Sequence, residues 1–199
     1  MTAILETDRL ILRPFAPDDV ENLVSLDADP DVMRFINGGE PTSRDEVERE
    51  ILPHFLALQA RGTGYGFWAV DEKSTGEFLP WFHLRPHADG DPGEPELGYR
   101  LKRMAWGKGY ATEGSLALIQ HAFVELGATR VYAETMAVNA ASRRVMEKAG
   151  LRFVHLFHAH WPVRIPGDEE GDVECALTRD QWELLGISPR QRTRRGRSP

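Results

Sequence analysis

The stretch from Glu96 to Met136 constrains the fold more than any other part of this chain. ELGYRLK alternates as a half-buried strand does. RMAWGKGYAT strips side chains from the backbone. From Thr112 onward Leu116, Ile119, Ala122, Phe123 and Leu126 recur at helical spacing, and Gly127 marks the stop. TRVYAETM is a second strand. Two strands joined by one such helix pair in parallel with a right-handed crossover, because a right-twisted strand feeding a right-handed helix returns to its sheet only that way. The segment therefore demands a sheet with a parallel pair and a helix on one face.

The flanking sequence supplies more strands than helices. RLILR reads as a strand, PDDVENLVSL as a helix with Pro17 in its first turn, and DPDVMRFI as a second short helix. Ser43 and Glu46 have capping-box spacing, and a helix from there to about residue 60 carries Pro53, which predicts a kink. YGFWAVD and FLPWFHLR are strands around the turn KSTGE, so three neighbouring strands, ending in ELGYRLK, form antiparallel hairpins. After TRVYAETM, Asn139 caps a helix to Lys148. LRFVHLFHAHW and VECAL are late strands, and Thr178 with Gln181 caps a final helix. The fold class expected is α+β: one domain over residues 1–187 around a mixed, mostly antiparallel sheet, followed by a basic tail at 188–199 that reads as disordered.

Composition removes several function classes. No apolar run approaches the roughly 20 residues a membrane span needs, and MTAILETDRLILRPF does not read as a signal peptide. The 199 residues carry a net charge of −7 although five arginines crowd PRQRTRRGRSP, so the body is acidic. An acidic body argues against general nucleic-acid binding and suits an amine-bearing partner. Cys175, alone in VECAL, reads as a buried thiol and fits a cytoplasmic protein.

A strand that feeds a glycine-rich bend into a helix leaves backbone N–H groups unpaired at the positive end of the helix dipole, which is an anion site. Gly107, Lys108, Gly109, Tyr110, Ala111 and Thr112 are placed to offer such groups to a phosphate or diphosphate, with Lys108 adding charge. The glycines equally permit plain strand–helix packing. Gly109 is followed by Tyr110, which excludes a Walker loop, and Thr112 breaks a dinucleotide fingerprint.

The run ELGYRLKRMAWGKGYATEGSLAL, followed by ETMAVNAASRRVMEKAGLRF, resembles the GNAT superfamily of acyl-CoA N-acyltransferases. The resemblance is to its Rim-type branch, which includes ribosomal-protein N-terminal acetyltransferases. ETDRLILRPFAPDD and ALTRDQW share the likeness, which covers about residues 6 to 185. The family's pyrophosphate loop has the pattern Gln/Arg-x-x-Gly-x-Gly/Ala. Gly109 and Ala111 match it, and Trp106 stands at the first position. The resemblance implies acetyl-CoA as co-substrate and an amine acceptor; no metal is expected, since His158 and His160 lack a third ligand and there is no CxxC pair. It also implies central parallel strands that splay, backbone groups near Tyr99 and Leu101 that meet the pantetheine arm and acyl carbonyl, and Asn139 beside that arm. Asn139 reads equally as a plain helix cap.

Acyl transfer from a thioester needs a neutral amine, a stabilised oxyanion and a departing thiolate. Glu96 is the favoured base; it opens the central strand, and it reads equally as an exposed strand-end glutamate. Glu134 is a second candidate, but it reads better as a strand-surface glutamate. His83, His158 and His160 alternate onto strand faces, and His158 is the imidazole alternative. The tyrosine that many family members use as an acid is replaced here by Met146, so the resemblance points to Ser142 as proton donor to the thiolate; Ser142 reads equally as a helix-start hydroxyl, with direct expulsion of the thiolate as the alternative. Met33, Phe35, Trp81, Phe82 and Trp161 are candidate walls of the acceptor pocket, with Asp168, Glu169 and Glu170 available to attract a cation. The sequence reads as an N-acetyltransferase acting by direct transfer in a ternary complex. The rival reading is a CoA-binding sensor without turnover, and a homodimer through a late edge strand is a further expectation.

Overall fold

The computed structural model describes residues 5–87, 90–161 and 163–186, so the tail expected at 188–199 lies outside the described residues. Eight strands form one sheet: β1 Leu5–Glu6, β2 Leu10–Pro14, β3 Gly66–Glu72, β4 Phe78–Arg85, β5 Glu96–Leu101, β6 Arg130–Met136, β7 Arg152–Phe157 and β8 Asp172–Thr178. Their order is β1-β2-β3-β4-β5-β6-β8-β7. Every neighbouring pair is antiparallel except β5 and β6. The helices are α1 Val20–Asp27, α2 Pro30–Met33, α3 Arg44–Glu46, α4 Leu52–Ala60, α5 Tyr110–Val124, α6 Ala140–Lys148 and α7 Arg179–Leu184.

Side chains alternate across a strand, and here both sides of the sheet's centre are covered. Trp68 and Val70 of β3 pack with Phe82, Leu84, Leu97, Leu118 and Phe123 on the α5 side. Phe67 and Ala69 pack with Phe15, Leu23, Leu26, Phe55 and Trp81 on the opposite side, under α1 and α4. This explains why YGFWAV and FLPWFH read as almost unbroken apolar runs. Two close approaches depend on missing side chains. A Cβ at Gly114 of α5 would stand 2.3–2.9 Å from the Phe82 ring, so the helix lies directly on that ring. A Cβ at Gly98 of β5 would stand 2.4–3.0 Å from the His83 imidazole.

The kink expected at Pro53 takes a specific form. A π-helical turn at Val47–Ile51 joins α3 to α4, and Pro53 follows as the second residue of α4. The widened turn accommodates a ring that has no N–H to donate. The expected caps form: Ser43 Oγ accepts from the Glu46 N–H at 3.2 Å, and Thr178 and Gln181 exchange bonds at 3.0 and 3.3 Å. Other expectations are corrected. α5 begins at Tyr110 rather than Thr112, a two-residue β1 precedes RLILR, and the strand read through LRFVHLFHAHW stops at Phe157. His158 and His160 therefore do not share a strand face.

Candidate active site

β6 pairs with β8 along seven residues, from Arg130↔Thr178 to Met136↔Asp172, but with β5 only at Glu96↔Tyr132. Beyond that point the two parallel strands part. The edge of β5 from Leu97 to Leu101 that faces β6 has no strand on it, and unpaired backbone in a cleft calls for a partner. The expected splay is thus present, with its apex at Glu96.

The glycine bend stands past the end of β5. Gly107 has φ +73°, and Gly109, the N-cap of α5, has φ +84°. This left-handed region suits a residue without a Cβ. Among the described residues no hydrogen bond runs from the N–H of Gly107, Lys108 or Gly109 to another group. A Cβ at Gly107 would meet nothing within 4 Å, so the bend faces open space and is not packed into the core. Its shape is held from behind. The Arg9 guanidinium donates to the Lys108 carbonyl at 2.9 Å, pairs with Glu113 in the first turn of α5 at 2.5 Å, and lies over the Tyr110 ring at 4.4 Å. The Tyr110 hydroxyl donates to Glu72 at 2.5 Å. The Trp106 indole N–H donates to the Leu101 carbonyl at 2.9 Å, tying the bend to the end of β5. These ties hold the exposed loop in shape while the N–H groups of Gly107, Lys108 and Gly109 keep no internal partner among the described residues, and free N–H groups at a helix start suit an anion. Arg9, 99 residues from Lys108 in sequence, carries no local signal of this role.

On the α5–α6 face of the cleft, Tyr99 and Ser142 meet. Their hydroxyl oxygens lie 3.0 Å apart, and the Tyr99 hydroxyl is also 3.1 Å from the Ser142 carbonyl. Burial pushes the Tyr99 phenol up to about 12, so it stays protonated. Only the backbone of Tyr99 was expected to matter; its side chain joins the site through the α6 start. Asn139 Oδ1 caps α6 by accepting from the Ser142 N–H at 3.2 Å, and its Nδ2 donates to Thr135 at 3.1 Å. Met146 is 2% exposed within the core, and its thioether has no proton to give.

The opposite face of the cleft carries charge. Glu96 shares it with Tyr132, and therefore with Glu134, Glu174, Arg85 and His83, by strand register. Glu96 Oε2 pairs with Arg85 at 3.0 Å, and Oε1 lies 3.7 Å from His83 Nε2. Burial alone would raise the Glu96 carboxyl, but His83 and Arg85 outweigh it and hold the group below the usual carboxylate range. Glu134 is held above that range by partial loss of solvent and by the negative charges of Glu96, Glu174 and Asp172. Arg100 points to the same side, 2.7 Å from buried Asp27 and 5.0 Å from the Trp81 ring centre.

A cavity of ≈410 Å³ opens between α1, α2 and the turn after β5, lined by Ser25, Leu26, Asp29, Val32, Lys102, Arg103 and Met104. Of the expected pocket walls, Met33, Trp81 and Phe82 are core residues, at 2, 8 and 0% exposure. Phe35 and Trp161 are half-buried. His158 is exposed; its Nε2 lies 3.4 Å from the Glu169 carbonyl, and it contacts neither Glu96 nor Ser142. Asp168 is internally paired with Arg164 at 3.0 Å, whereas Glu169 and Glu170 remain exposed. No group of three or more metal-ligating side chains occurs among the described residues, and no described helix is long and apolar enough to cross a membrane.

Known proteins share this chain's sequence pattern and fold. The pattern of the family described as "Acetyltransferase (GNAT) domain" matches residues 9–152. FsC-acetyl coenzyme A-N(2)-transacetylase of Aspergillus fumigatus is 35% identical over 184 residues, 89% of this chain and 77% of that protein. Aminoglycoside acetyltransferase AAC(6')-Ib, solved with coenzyme A, superposes with a TM-score of 0.69 at 18% identity, covering 89% of this chain and 99% of that one. An acetyltransferase of the GNAT family from Bacillus anthracis superposes with a TM-score of 0.71 at 22% identity, covering 89% and 99%. The unpaired loop amides, the cleft that opens at Glu96 and these likenesses lead to one conclusion: the chain belongs to the GNAT acetyltransferases, enzymes that take their acetyl group from acetyl-CoA.

Proposed function

We propose that this acetyltransferase acts on a primary amine, a protein N-terminus or a small amine, by direct transfer in a ternary complex. The observation that carries the reading is the pair of unlike faces on β5. One side offers bare loop amides and the Tyr99–Ser142 hydroxyl pair, and the other offers carboxylates. In this reading the N–H groups of Gly107 to Thr112 hold the diphosphate, the backbone of Tyr99 and Leu101 holds the arm and acyl carbonyl, and Asn139 flanks the arm. The acceptor lies across Glu96, with the cavity bounded by Val32 and Met104 taking the rest of it. The fungal relative's name assigns it transfer to an N(2) nitrogen, which favours an amine acceptor.

The proton balance follows from the groups in place. An ammonium must lose one proton before its lone pair can attack; Glu96 takes that proton through water and releases it to solvent. The nitrogen then forms a bond to the thioester carbon as the carbon–sulfur bond breaks. Ser142, backed by Tyr99, delivers a proton to the thiolate and is reprotonated from water, which takes up the second proton that the nitrogen loses. Cys175 is 5% exposed, and burial raises its thiol, which supports transfer without a covalent enzyme intermediate. The lone buried thiol also suits the cytoplasm. A homodimer through β7, the far edge of the sheet, would cover Phe153, Val154 and Leu156, exposed at 61, 49 and 50%.

The test is incubation with acetyl-CoA and a panel of peptides, polyamines and aminoglycosides while free thiol is followed. Thiol release that depends on an amine supports the reading. Release to water alone, or to none of the panel, overturns it.

A further inference from the structure

His83 is the buried titratable group that the acetyl-transfer scheme leaves unused. Its side chain is 9% exposed, and neither ring nitrogen has a hydrogen-bond partner. Buried polar atoms are almost always paired, so an unpaired imidazole calls for an explanation. The slot around it is made to measure. The ring stacks on Trp81 with centroids 5.9 Å apart at 21°, and meets Phe67 edge-on at 5.2 Å. Gly98 of the central strand leaves the space the ring fills, since a Cβ there would come within 2.4 Å of Cε1. Nε2 lies 3.7 Å from Glu96 Oε1, too far for a hydrogen bond and too close for a water between them. Arg85 holds the other oxygen of the same carboxylate at 3.0 Å.

We propose that His83 is the positioning residue for Glu96. The imidazole donates from Nε2 to Oε1 once the carboxylate turns toward an acceptor, so that with Arg85 on Oε2 the group presents a fixed lone pair to the amine. The inference rests on the reading of Glu96 as base. Closing the gap needs a shift of about 0.7 Å to reach ordinary hydrogen-bond length, within reach of a carboxylate rotation. Burial keeps the imidazole below its usual value, so it serves as a neutral donor near pH 7. The groups that face the pair are Arg85 of β4, His87 just after it, Arg100 of β5, and Tyr132 and Glu134 of β6. β3 offers only Phe67, with His54 of α4 beyond that ring.

The experiment compares His83→Leu, His83→Gln and Glu96→Gln in the full chain, reading kcat/KM against pH together with acetyl-CoA binding by calorimetry. Losing the donor raises the Glu96 value. His83→Leu is therefore expected to move the acidic limb of the profile upward in pH and to lower kcat tenfold or more, with coenzyme affinity unchanged. His83→Gln keeps an N–H donor at a similar reach and is expected to restore most of the rate and the original limb. In a Glu96→Gln background, His83→Leu should cost nothing further. Equal losses in both His83 variants with an unmoved limb, while Glu96→Gln is impaired, overturn this role alone. A fully active Glu96→Gln overturns the reading of Glu96 and this role together.

Discussion

The two sides of β5 do different work with different materials. Toward α5 and α6 the site is made of backbone: amides without partners at Gly107, Lys108 and Gly109, a strand edge left open, and a helix start. Toward α1 and β8 it is made of side chains, with Glu96, His83, Arg85, Arg100 and Glu134 set by register across the three strands β4, β5 and β6. A backbone site tolerates substitution at most positions but not the addition of a Cβ where φ is positive. A side-chain site depends on each partner's identity. In the proposed reading the first holds a donor that stays the same and the second an acceptor that can be exchanged.

This contrast can be broken or sharpened by experiment. The largest effect is expected from Glu96→Gln, which should lower kcat on the order of 10²-fold or more, as loss of a general base does, while calorimetry finds acetyl-CoA affinity unaltered. Lost coenzyme affinity would mean that the two sides are not separable. Gly109→Val should do the converse. A β-branched residue at φ +84° is strained, and its side chain would crowd Arg9, whose Nη2 lies 3.4 Å from the Cβ position. Acetyl-CoA affinity should fall roughly 10-fold to 100-fold, from strain of about 1–2 kcal/mol and a displaced amide cradle, with the pH profile of the remaining activity unmoved.

Asn139→Ala should cost less, about 1 kcal/mol of stability from the lost cap, seen as a lower melting temperature. A fall in coenzyme affinity beyond that change would assign the amide a contact with the arm as well. The smallest effect concerns acid. Partial burial would raise the Glu113 carboxyl, but the Thr7 hydroxyl and the N–H and guanidinium of Arg9 outweigh it and hold the group low. Its contribution to stability is therefore complete above the ordinary carboxylate value of about 4.3 and is lost as pH falls through the lower folded value. Glu113→Gln should flatten acid unfolding below that value while leaving stability near pH 7 slightly reduced. An unchanged acid limb would show that the clamp behind the loop is not coupled to folding.

The same contrast explains what could be read in advance. The glycines, the helix periodicity and the capping residues are local signals, and they located the loop, α5, α6 and the parallel crossover. The families of contacts that hold the loop are not local. Arg9 meets Lys108 and Glu113 across the sheet, and Tyr99 meets Ser142 across the cleft, in pairs that no spacing rule links. The acceptor face was least legible because neighbouring strands assemble it. His83 faces Gly98 and Glu96 only through the register of β4 on β5. The strand assigned to LRFVHLFHAHW ran too long because alternation continues through His158 and His160, although β8 offers no partner beyond Asp172.

Gly114 ties these observations to the interior. Because α5 rests without a spacer on the Phe82 ring at Gly114, its fifth residue, the height of its first turn above the sheet is set by one aromatic side chain of β4. A bulkier residue at 114 or a smaller ring at 82 would tilt or sink the whole rod, and the amides at its tip would travel with it. If the loop amides hold the coenzyme as proposed, acetyl-CoA affinity is partly written in the hydrophobic interior, and variants selected only for firmer packing there would retune the donor site without altering a residue that touches it.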